Sequence, residues 1–315
     1  ISDTPGAEAL LLRAREIQTL WKAETPRLKL RADVEVIDAK KQSAKGEYRV
    51  DWISPSSWKE EIRFGGYSRV RVHNPEGYWQ KASLNFQPLA LFELDQILQV
   101  ENLLAISPEQ KLGKPKSHDK GGQRQTCFEV KAGRSSDRTL CFDEITGNLI
   151  RVEYPVPDSR NSPEISTIEF AAFRPVGQKR VPFTMRATRD RKDIVTVNVV
   201  EALQVPDDNS PLFAAPIQSE FWFICDDTRE PKLKNRIHPN YNSDLRSKHE
   251  EGRVIFYAVI EPDGSVSHLT SILRATPGLE AAAADAIRQW RFEPIMCAGR
   301  PVRVEKSIQI DFWLE

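Results

Sequence analysis

Histidines are the side chains that could most readily carry acid–base or metal chemistry in this 315-residue chain. None of them has the spacing of a metal site, and none forms a recognisable nucleophile motif with a serine or a cysteine. The five are His73, His118, His238, His249 and His268. The HDKGGQ stretch falls short of a phosphate-binding loop, and the carboxylates of EYRVDW and KEE are predicted on solvated strand faces. The sequence therefore predicts no catalytic residue, no metal site and no cofactor, and it indicates that the protein is not an enzyme.

The four cysteines have a spacing that is typical of disulfide bonds rather than of metal or redox chemistry. Cys127 and Cys141 lie in TCFEVKAGRSSDRTLCFD, two strand-like pieces that a polar turn would place side by side in a hairpin. Cys225 and Cys297 form the second predicted pair, and neither pair has the short Cys-x-x-Cys spacing of a zinc site. Two disulfide bonds indicate an oxidising compartment, and we expect the bacterial periplasm. The alternative is four reduced, buried thiols in a cytosolic protein.

Charge and length limit the class of protein. Lys plus Arg and Asp plus Glu number 45 each, so no net charge attracts nucleic acid or anionic lipid. At 315 residues the chain can hold two domains with their own cores. It starts ISDTPGAEALL, without an initiator methionine or an apolar leader, and we expect that a leader or an anchor has been removed ahead of Ile1. A membrane tether would then lie outside this chain.

Most of the chain before residue 205 alternates between apolar and polar residues, as β-strands do. In LKLRADVEV, Leu28, Leu30 and Ala32 alternate with charged residues, and in SRVRVHN the predicted inward residues are Val70 and Val72. We count about eleven strands: LKLRADVEV, EYRVDW, SWKEEIRF, SRVRVHN, GYWQK, QTCFEV, RTLCFD, NLIRVEY, STIEFAAF, VPFTMRAT and DIVTVNVVEAL. Helices are predicted at GAEALLLRAREIQTLWKA and PLALFELDQILQVENLL, and SPEQKLGKPKSHDKGGQ is predicted to be a polar loop.

So many strands with hairpin-length links predict one wide antiparallel sheet, which must twist and curl. Two amphipathic helices would cap its concave apolar face, so the predicted fold class is α+β with an incomplete antiparallel β-barrel and capping helices. The interior would be either a solid core or an apolar cavity for an acyl chain or a similar ligand. The candidate cavity-lining residues are Trp52, Trp58, Phe64, Trp79 and Phe92.

The segment QVPDDNSPLFAAP interrupts the alternation and predicts a domain boundary. We expect an N-terminal domain over 1–206, a linker over 207–219 and a C-terminal domain over 220–315, and limited proteolysis in the linker should leave a stable C-terminal piece. In that piece EGRVIFYAVI, the turn EPDGS and VSHLTSIL predict a β-hairpin. Thr276 and Pro277 are typical of a helix start, the helix GLEAAAADAIRQW follows, and VEKSIQIDFWL is a terminal strand. The predicted C-terminal domain is therefore a small ββαβ unit with an antiparallel sheet.

Several pieces of residues 220–315 resemble the C-terminal domain of TonB-type energy transducers. They are His238-Pro239, EGRVIFYAVIEPDGSV, PGLEAAAADAIRQWRFEP and GRPVRV ahead of the terminal strand. The resemblance implies that the terminal strand is an exposed sheet edge, to which a short peptide of an outer-membrane receptor is added by β-augmentation. It also implies contacts from the residues before the first strand, where the family usually has Tyr-Pro instead of His-Pro. A full transducer also has a membrane helix and a Pro-rich spacer, neither of which this sequence shows, so the resemblance implies peptide or lipid binding and does not extend to force transduction.

The element order over residues 5–205 resembles the LolA and LolB-like carriers of lipoproteins. It is carried by LRADVEVID, GEYRVDWISPSSWKEEIRF and GYWQK between two helices, followed by a long run of strands. The resemblance implies a half-barrel whose helices enclose a hydrophobic cavity for acyl chains. A periplasmic lipid or lipoprotein carrier, or a lipid sensor, is therefore the alternative function.

Taken together, these patterns predict a periplasmic, transport-associated binding protein whose C-terminal sheet edge takes a peptide of an outer-membrane receptor or of another envelope protein. A lipid or acyl chain is the alternative ligand, and no nucleic acid is expected. The candidate partner-binding residues are Arg236, Ile237, His238, Pro239, Ser307, Gln309, Asp311 and Trp313. The edge could also pair with a second copy of the chain, or be covered by the N-terminal domain or by SEFWFIC.

Overall fold

The computed structural model describes residues 6–37, 42–131, 137–156, 164–206, 213–223 and 231–313. The chain forms two compact units. The N-terminal unit comprises Ile1–Pro75 and Glu93–Ala214, and the C-terminal unit comprises Glu76–Phe92 and Ala215–Glu315. Residues 76–92, which we expected in the N-terminal domain, thus belong to the C-terminal unit, and we call them the arm.

The elements up to residue 204 are α1 (Ala7–Gln18), β1 (Leu28–Ile37), β2 (Ser43–Ser54), β3 (Ser57–Phe64), β4 (Tyr67–Asn74), β5 (Gly77–Ala82), α2 (Leu89–Leu98), α3 (Val100–Leu104), β6 (Lys111–Leu112), β7 (Lys116–Lys120), β8 (Gln123–Lys131), β9 (Arg138–Asp143), β10 (Leu149–Val156), β11 (Glu164–Val176), β12 (Lys179–Arg189) and β13 (Lys192–Gln204). The remaining elements are β14 (Glu220–Trp222), β15 (Leu233–Asn235), α4 (Ser243–Ser247), β16 (Gly252–Ile260), β17 (Val266–Leu273), α5 (Pro277–Arg288), β18 (Arg291–Phe292), β19 (Ile295–Cys297), β20 (Arg300–Val302) and β21 (Val304–Phe312).

One large antiparallel sheet dominates the N-terminal unit. Its strand order is β4-β3-β2-β1-β13-β12-β11-β10-β9-β8-β6, and β7 also pairs with β8. β1 and β13 are far apart in sequence, yet they pair from Leu28 opposite Gln204 to Val36 opposite Val195. No pairing joins β4 to β6 within the described ranges, so the sheet is open rather than a closed barrel. The fold is α+β with a wide antiparallel sheet, as the strand pattern predicts.

Alternation along the strands produces the core of this sheet. β1 buries Leu28 and Leu30 and leaves Lys29 exposed between them. The buried residues of α1 are Ala7, Leu10, Leu11, Ala14 and Gln18. Gln18 fastens the helix to β10, because its Nε2 donates to the Leu149 carbonyl at 3.2 Å and its Oε1 accepts from the Leu149 N–H at 2.5 Å.

Two local predictions are wrong. The second predicted helix is two helices, α2 and α3, because Gln99 leaves the helical region with φ −104° and ψ 67°. The predicted polar loop contains β6 and β7, which both pair with β8. Every residue of β7 is exposed, so its sequence has no apolar alternation that could reveal a strand.

The predicted disulfide bond between Cys127 and Cys141 is confirmed. The two residues face each other across β8 and β9, with their Cα atoms 4.1 Å apart. Residues directly opposite each other on adjacent antiparallel strands lie close enough for such a bond. Cys225 lies outside the described residues, so its pairing with Cys297 stays a prediction.

The C-terminal unit is built on a three-stranded antiparallel sheet in the order β17-β16-β21, with α5 packed against it. Thr276 caps α5, since its side chain accepts from the Leu279 N–H, and Pro277 begins the helix. Ala283 and Ala286 are buried on the helix face that meets the sheet, where small side chains let the two elements approach closely. The core between α5 and the sheet includes Val254, Phe256, Ala258, Ile260, Leu279, Ile287, Trp290, Ile308, Ile310 and Phe312.

The Asp-Gly turn between β16 and β17 requires its glycine. Gly264 has φ +80°, and its N–H donates to the Glu261 carbonyl at 2.8 Å. A Cβ atom at this position would lie 2.0 Å from the carbonyl oxygen of Phe292. Both the backbone angle and this close approach exclude other residues.

The opposite face of the same sheet is also covered within the C-terminal unit. Side chains alternate along β16, so Tyr257 and Val259 point away from α5. They are buried together with Trp222 of β14. The partly buried residues around them are Tyr78, Phe86, Phe92 and Ile272, of which the first three belong to the arm. The arm is therefore part of the core of the C-terminal unit.

Within the described part of the chain, no helix is both long enough and apolar enough to cross a membrane.

Candidate functional site

β21 is the last strand of the three-stranded sheet. It pairs with β16 along its whole length, from Val304 opposite Ile260 to Phe312 opposite Gly252. Among the described residues no other strand pairs with β21, so the second side of its backbone forms one edge of the sheet. Such an edge offers unpaired backbone N–H and C=O groups to an incoming strand.

The outward side chains of β21 form an exposed polar row. Ser307, Gln309 and Asp311 are exposed, whereas the residues between them are buried against the core. The Arg253 Nε donates to Asp311 Oδ1 at 2.7 Å, and the Gln309 Nε2 donates to Asp311 Oδ2 at 2.8 Å. Side-chain hydrogen bonds thus hold Gln309 and Asp311 in place before any partner binds. Trp313, which follows the strand, is partly buried.

The predicted selectivity residues lie in the segment 236–239, beyond the end of β15. The Trp290 Nε1 donates to the Ile237 carbonyl at 2.8 Å, and the Arg236 guanidinium lies 5.7 Å from the centre of the Trp290 ring. The side chains of Arg236 and His238 are exposed, and Pro239 is partly buried. The bond from Trp290 fixes the segment while its polar side chains stay accessible.

Tyr241 links this segment to the end of β21. Its ring lies 5.9 Å from the ring of Phe312, and its hydroxyl donates to the Glu250 carbonyl at 2.8 Å. The structure therefore brings the chain that follows Pro239 to the last residue of β21. The guanidinium of Arg236 and the backbone carbonyl of Ile237, by contrast, contact Trp290.

The SEFWFIC segment contributes β14, which pairs with β5 of the arm. Arg303, just ahead of β21, holds it in place. Its Nη2 donates to the Phe221 carbonyl at 2.9 Å, and its guanidinium stacks 4.1 Å above the Trp222 ring. In the described residues, β14 thus covers the face of the sheet near Tyr257 and not the edge of β21.

The five aromatic residues predicted to line an acyl-chain cavity make separate contacts. Trp52, Trp58 and Phe64 belong to the N-terminal unit, and Trp79 and Phe92 belong to the C-terminal unit. Their ring partners are Trp21 for Trp52 at 5.4 Å, His73 for Trp58 at 6.0 Å, Tyr67 for Phe64 at 5.9 Å and Phe221 for Trp79 at 5.5 Å, while Phe92 packs near Trp222. Only Trp52 and Phe64 among them are fully buried.

A small apolar cavity lies between the sheet of the N-terminal unit and its helices. Its volume is about 20 Å³, which is enough for one or two water-sized groups. The lining residues are Gln18, Leu20, Trp21, Leu30, Tyr48, Leu98, Val100, Glu101, Val181, Pro182 and Met185. Burial raises the pKa of the Glu101 carboxyl to about 7, against a smaller lowering effect of Lys22.

The pKa of Glu101 predicts that the N-terminal unit loses stability as the pH rises. The carboxyl titrates near 4.5 when exposed and near 7 in the folded chain, so the folded chain binds more protons between these pH values. Stability is thus higher at or below pH 4.5 and falls as pH rises through 7. Replacing Glu101 with glutamine should raise the free energy of unfolding at pH 8 by about 1–3 kcal/mol.

Urea unfolding at several pH values measures this effect. The advantage of the Glu101→Gln variant should shrink toward zero as the pH falls well below 4.5, where the wild-type carboxyl is protonated in both states. The matched control is Glu129→Gln, which changes an exposed side chain of β8 and should alter the free energy of unfolding by less than about 0.5 kcal/mol. Equal stabilisation by Glu101→Gln at both pH values would contradict a buried carboxyl.

A buried charge network joins α2 to the sheet of the N-terminal unit. The Arg69 side chain is 0% exposed, and its Nη2 contacts Glu60 Oε1 at 3.0 Å and Asp95 Oδ1 at 2.9 Å. Arg71 lies 3.6 Å from Glu60, and the Tyr48 hydroxyl donates to Glu60. Burial acts to lower the pKa of Arg69, but Asp95 and Glu60 outweigh it and hold the pKa well above its ordinary value.

This network corrects two expectations about the strands. Glu60 belongs to the KEE stretch that was expected on a solvated face, yet its side chain is only 12% exposed because it neutralises Arg69. On β4, Arg69 and Val72 are buried, whereas Val70 is only partly buried. The inward positions of β4 therefore do not follow the apolar residues, and periodicity alone could not find Arg69.

Comparison with known proteins identifies the C-terminal part of the chain. Residues 237–314 match the family described as the Gram-negative bacterial TonB protein C-terminal. This match confirms the resemblance predicted from EGRVIFYAVIEPDGSV and PGLEAAAADAIRQWRFEP. The match covers less than half of the chain. A search of curated proteins finds no match.

Solved structures similar to the chain include three from bacteria. A domain assigned as an outer membrane lipoprotein-sorting protein from Vibrio parahaemolyticus is 13% identical, with a TM-score of 0.40 over 62% of this chain and 89% of its own. A LolA superfamily protein from Nitrosomonas europaea is 11% identical, with a TM-score of 0.39 over 65% and 95%. A DUF1329 family protein from Desulfovibrio piger is 12% identical, with a TM-score of 0.41 over 62% and 90%.

Proposed function

We propose that this protein is a periplasmic adaptor whose β21 edge binds an extended peptide of an outer-membrane receptor or of another envelope protein. The observation that carries the proposal is the position of β21 at the edge of its sheet, within the residues that match the TonB C-terminal family. Main-chain hydrogen bonds along the strand would supply affinity for a peptide in an extended conformation. The role is one of binding, and no catalytic step is proposed.

Side chains beside the edge would supply selectivity. The Gln309 and Asp311 side chains are already ordered by hydrogen bonds, so little of their side-chain entropy is lost when a peptide pairs with the strand. The exposed guanidinium of Arg236 and the imidazole of His238 offer donors to an acidic or polar residue of the peptide. The hydrogen bond from Trp290 to the Ile237 carbonyl fixes the backbone between these two donors.

The proposed compartment is the periplasm. The bond between Cys127 and Cys141 supports an oxidising environment, since disulfides are rare in the bacterial cytosol. The match to a Gram-negative TonB family supports the same location.

Peptide selection followed by hydrogen exchange tests the proposed site. A displayed library of short random peptides is selected against the full chain, and a synthetic copy of an enriched peptide is added to labelled protein. We expect slower exchange at every second amide of β21, because alternate N–H groups of an edge strand point toward the added strand. Protection confined to β17, or to residues outside β21, would refute the proposal.

Lysine substitutions provide the matched variants. A double variant with Ser307→Lys and Gln309→Lys keeps the backbone of β21 intact but opposes strand addition, and we expect at least about tenfold weaker peptide binding. Thr270→Lys on β17, the other outer strand of the sheet, should bind the peptide as the wild type does.

Gln309→Pro removes a backbone donor from the strand and should abolish peptide binding, provided that circular dichroism finds the fold intact. Unchanged binding by the double lysine variant would exclude the edge.

A lipid or lipoprotein carrier remains the second candidate from the sequence. That function requires room for an acyl chain, and ligand sites generally have volumes of about 300 Å³ or more. The cavity lined by Trp21 and Glu101 has a volume of about 20 Å³. The proposed function therefore rests on the C-terminal unit and not on this cavity.

A further inference from the structure

A second, larger opening lies elsewhere in the N-terminal unit, on the strands from β8 to β12. We call it the β8–β12 cleft. Its volume is about 310 Å³, within the range of small-ligand sites. The lining residues are Gln123, Asp143, Thr146, Asn148, Ile150, Phe170, Ala171, Ala172, Phe173 and Arg180. None of them lines the small cavity near Glu101, so the two openings are separate.

The cleft contains a buried polar atom without a partner. Asn148 is 3% exposed, and its Oδ1 accepts no hydrogen bond within the described part of the chain. Burying a carbonyl oxygen without a donor is costly, and native proteins seldom tolerate it without a reason. Asn148 lines the cleft, and a turn of its side chain toward the opening would let a ligand N–H or O–H group satisfy this oxygen.

The cleft also contains a positive charge that is not neutralised. Arg180 is exposed, and among the described residues its guanidinium forms no ion pair. A guanidinium can bind a carboxylate through two parallel hydrogen bonds. Arg180 therefore supplies an anchor for one negative charge.

A rigid turn forms the polar wall of the cleft. Asp143 Oδ1 accepts from the N–H and hydroxyl of Thr146, both at 2.7 Å, and Oδ2 accepts from Gln123 Nε2 at 2.8 Å. Gly147 closes the turn with φ +74° by donating to the Asp143 carbonyl at 2.8 Å. The carboxylate of Asp143 disfavours a ligand with a second negative charge on this side.

The opposite wall is apolar and contains an irregular residue in β11. Ala171 pairs with Thr184 and Phe173 pairs with Pro182, so the register is the same on both sides of Ala172, which takes φ +53°. A positive φ at a residue other than glycine marks a local distortion of the strand. The apolar residues of this wall are Ile150, Phe170 and Phe173.

From this arrangement we propose that the β8–β12 cleft binds an N-acylated amino acid, free or as the last residue of a peptide, with an apolar side chain. Its carboxylate would pair with Arg180, its amide N–H would donate to Asn148 Oδ1, and its side chain would pack on Phe170 and Phe173. This inference does not depend on the β21 edge, because the two sites lie in different units.

Titration of the full chain with N-acetyl-L-phenylalanine tests the proposal by saturation-transfer NMR. A ligand of about 15 non-hydrogen atoms should bind with a Kd of about 0.1–1 mM. N-acetyl-L-phenylalaninamide, which lacks the carboxylate, should bind at least about tenfold more weakly. A peptide ending in phenylalanine distinguishes the source of the ligand, since tighter binding than the single residue indicates a peptide C-terminus and equal binding indicates a free small molecule.

Two variants of the cleft and one control accompany the titration. Arg180→Gln should weaken binding of the acid at least about tenfold and leave binding of the amide unchanged. Arg174→Gln removes the same charge from the same hairpin but does not line the cleft, and it should bind as the wild type does. Asn148→Leu should weaken both ligands yet raise the Tm of the ligand-free protein by about 2–4 °C, because it removes an unpaired buried oxygen.

Three outcomes would overturn the proposal. The first is equal binding of the acid and the amide, which would exclude recognition of the carboxylate by Arg180. The second is an effect of Arg174→Gln as large as that of Arg180→Gln, which would indicate a general charge effect. The third is no detectable binding of N-acetyl-L-phenylalanine at concentrations well above 1 mM, about the weakest Kd expected for a ligand of this size.

Discussion

Replacing Arg69 with methionine is expected to lower the free energy of unfolding of the N-terminal unit by about 3–5 kcal/mol. Removal of the guanidinium leaves the carboxylates of Glu60 and Asp95 close together and only 12% and 18% exposed. Arg71 forms longer ion pairs with the same carboxylates, at 3.6 and 3.8 Å, and offsets only part of the loss. Urea unfolding of the full chain, followed by far-ultraviolet circular dichroism, measures the loss.

Two further variants separate the network from a simple loss of charge. Arg49→Met breaks an exposed contact with Glu47 and should cost less than about 1 kcal/mol. Combining Arg69→Met with Glu60→Gln and Asp95→Asn removes the stranded charges as well, and it should recover much of the loss. If Arg69→Met costs no more than Arg49→Met, the network does not stabilise the fold.

Cutting the chain between residues 206 and 213 is expected to leave the two fragments bound to each other. The arm lies on the N-terminal fragment, but its Tyr78, Phe86 and Phe92 pack around Trp222 and Tyr257 of the C-terminal fragment. Truncating a buried aromatic side chain costs about 3–5 kcal/mol and a partly buried one costs less, but loss of all three rings together removes a large part of a domain's stability of about 5–15 kcal/mol. The isolated fragment 213–315 should therefore melt about 20 °C or more below the cut chain.

Size-exclusion chromatography and thermal unfolding measure this prediction. The cut chain should elute as one species in native buffer and as two fragments in denaturant. A version of fragment 213–315 with residues 76–92 attached through a flexible glycine–serine linker should regain most of the lost Tm. Separation of the fragments in native buffer, with no loss of Tm for the isolated piece, would support the domain limits expected from the sequence.

Local signals in the sequence predict the individual elements well, because each depends on neighbouring residues. The EPDGS turn, the Thr276-Pro277 helix start and the alternation along β1 all match the structure. The pairing of β1 with β13 could not be predicted in this way, since it joins residues near 30 with residues near 200. Such long-range pairing is decided by packing over the whole sheet and leaves no local pattern.

The candidate sites also include some features that local sequence patterns predict and others that only long-range packing decides. The edge strand β21 follows from its place after α5, and its outward polar residues follow from period-two alternation. Arg69 escapes prediction because a charged residue is normally exposed, and only the positions of Glu60 and Asp95 make its burial possible. The cleft near Arg180 could not be predicted because its lining comes from the five strands β8 to β12 and the turn before β10, which no local pattern brings together.

The inclusion of the arm in the C-terminal unit has a consequence for synthesis of the protein. Phe92 is translated about 170 residues before Val259, the strand residue that it helps to cover. At a translation rate of about 5–20 residues per second, roughly 10–30 s pass between synthesis of the arm and synthesis of the strand against which its aromatic side chains pack. A nascent chain interrupted in this interval presents those side chains to solvent and to other chains, which makes it a ready client for a chaperone.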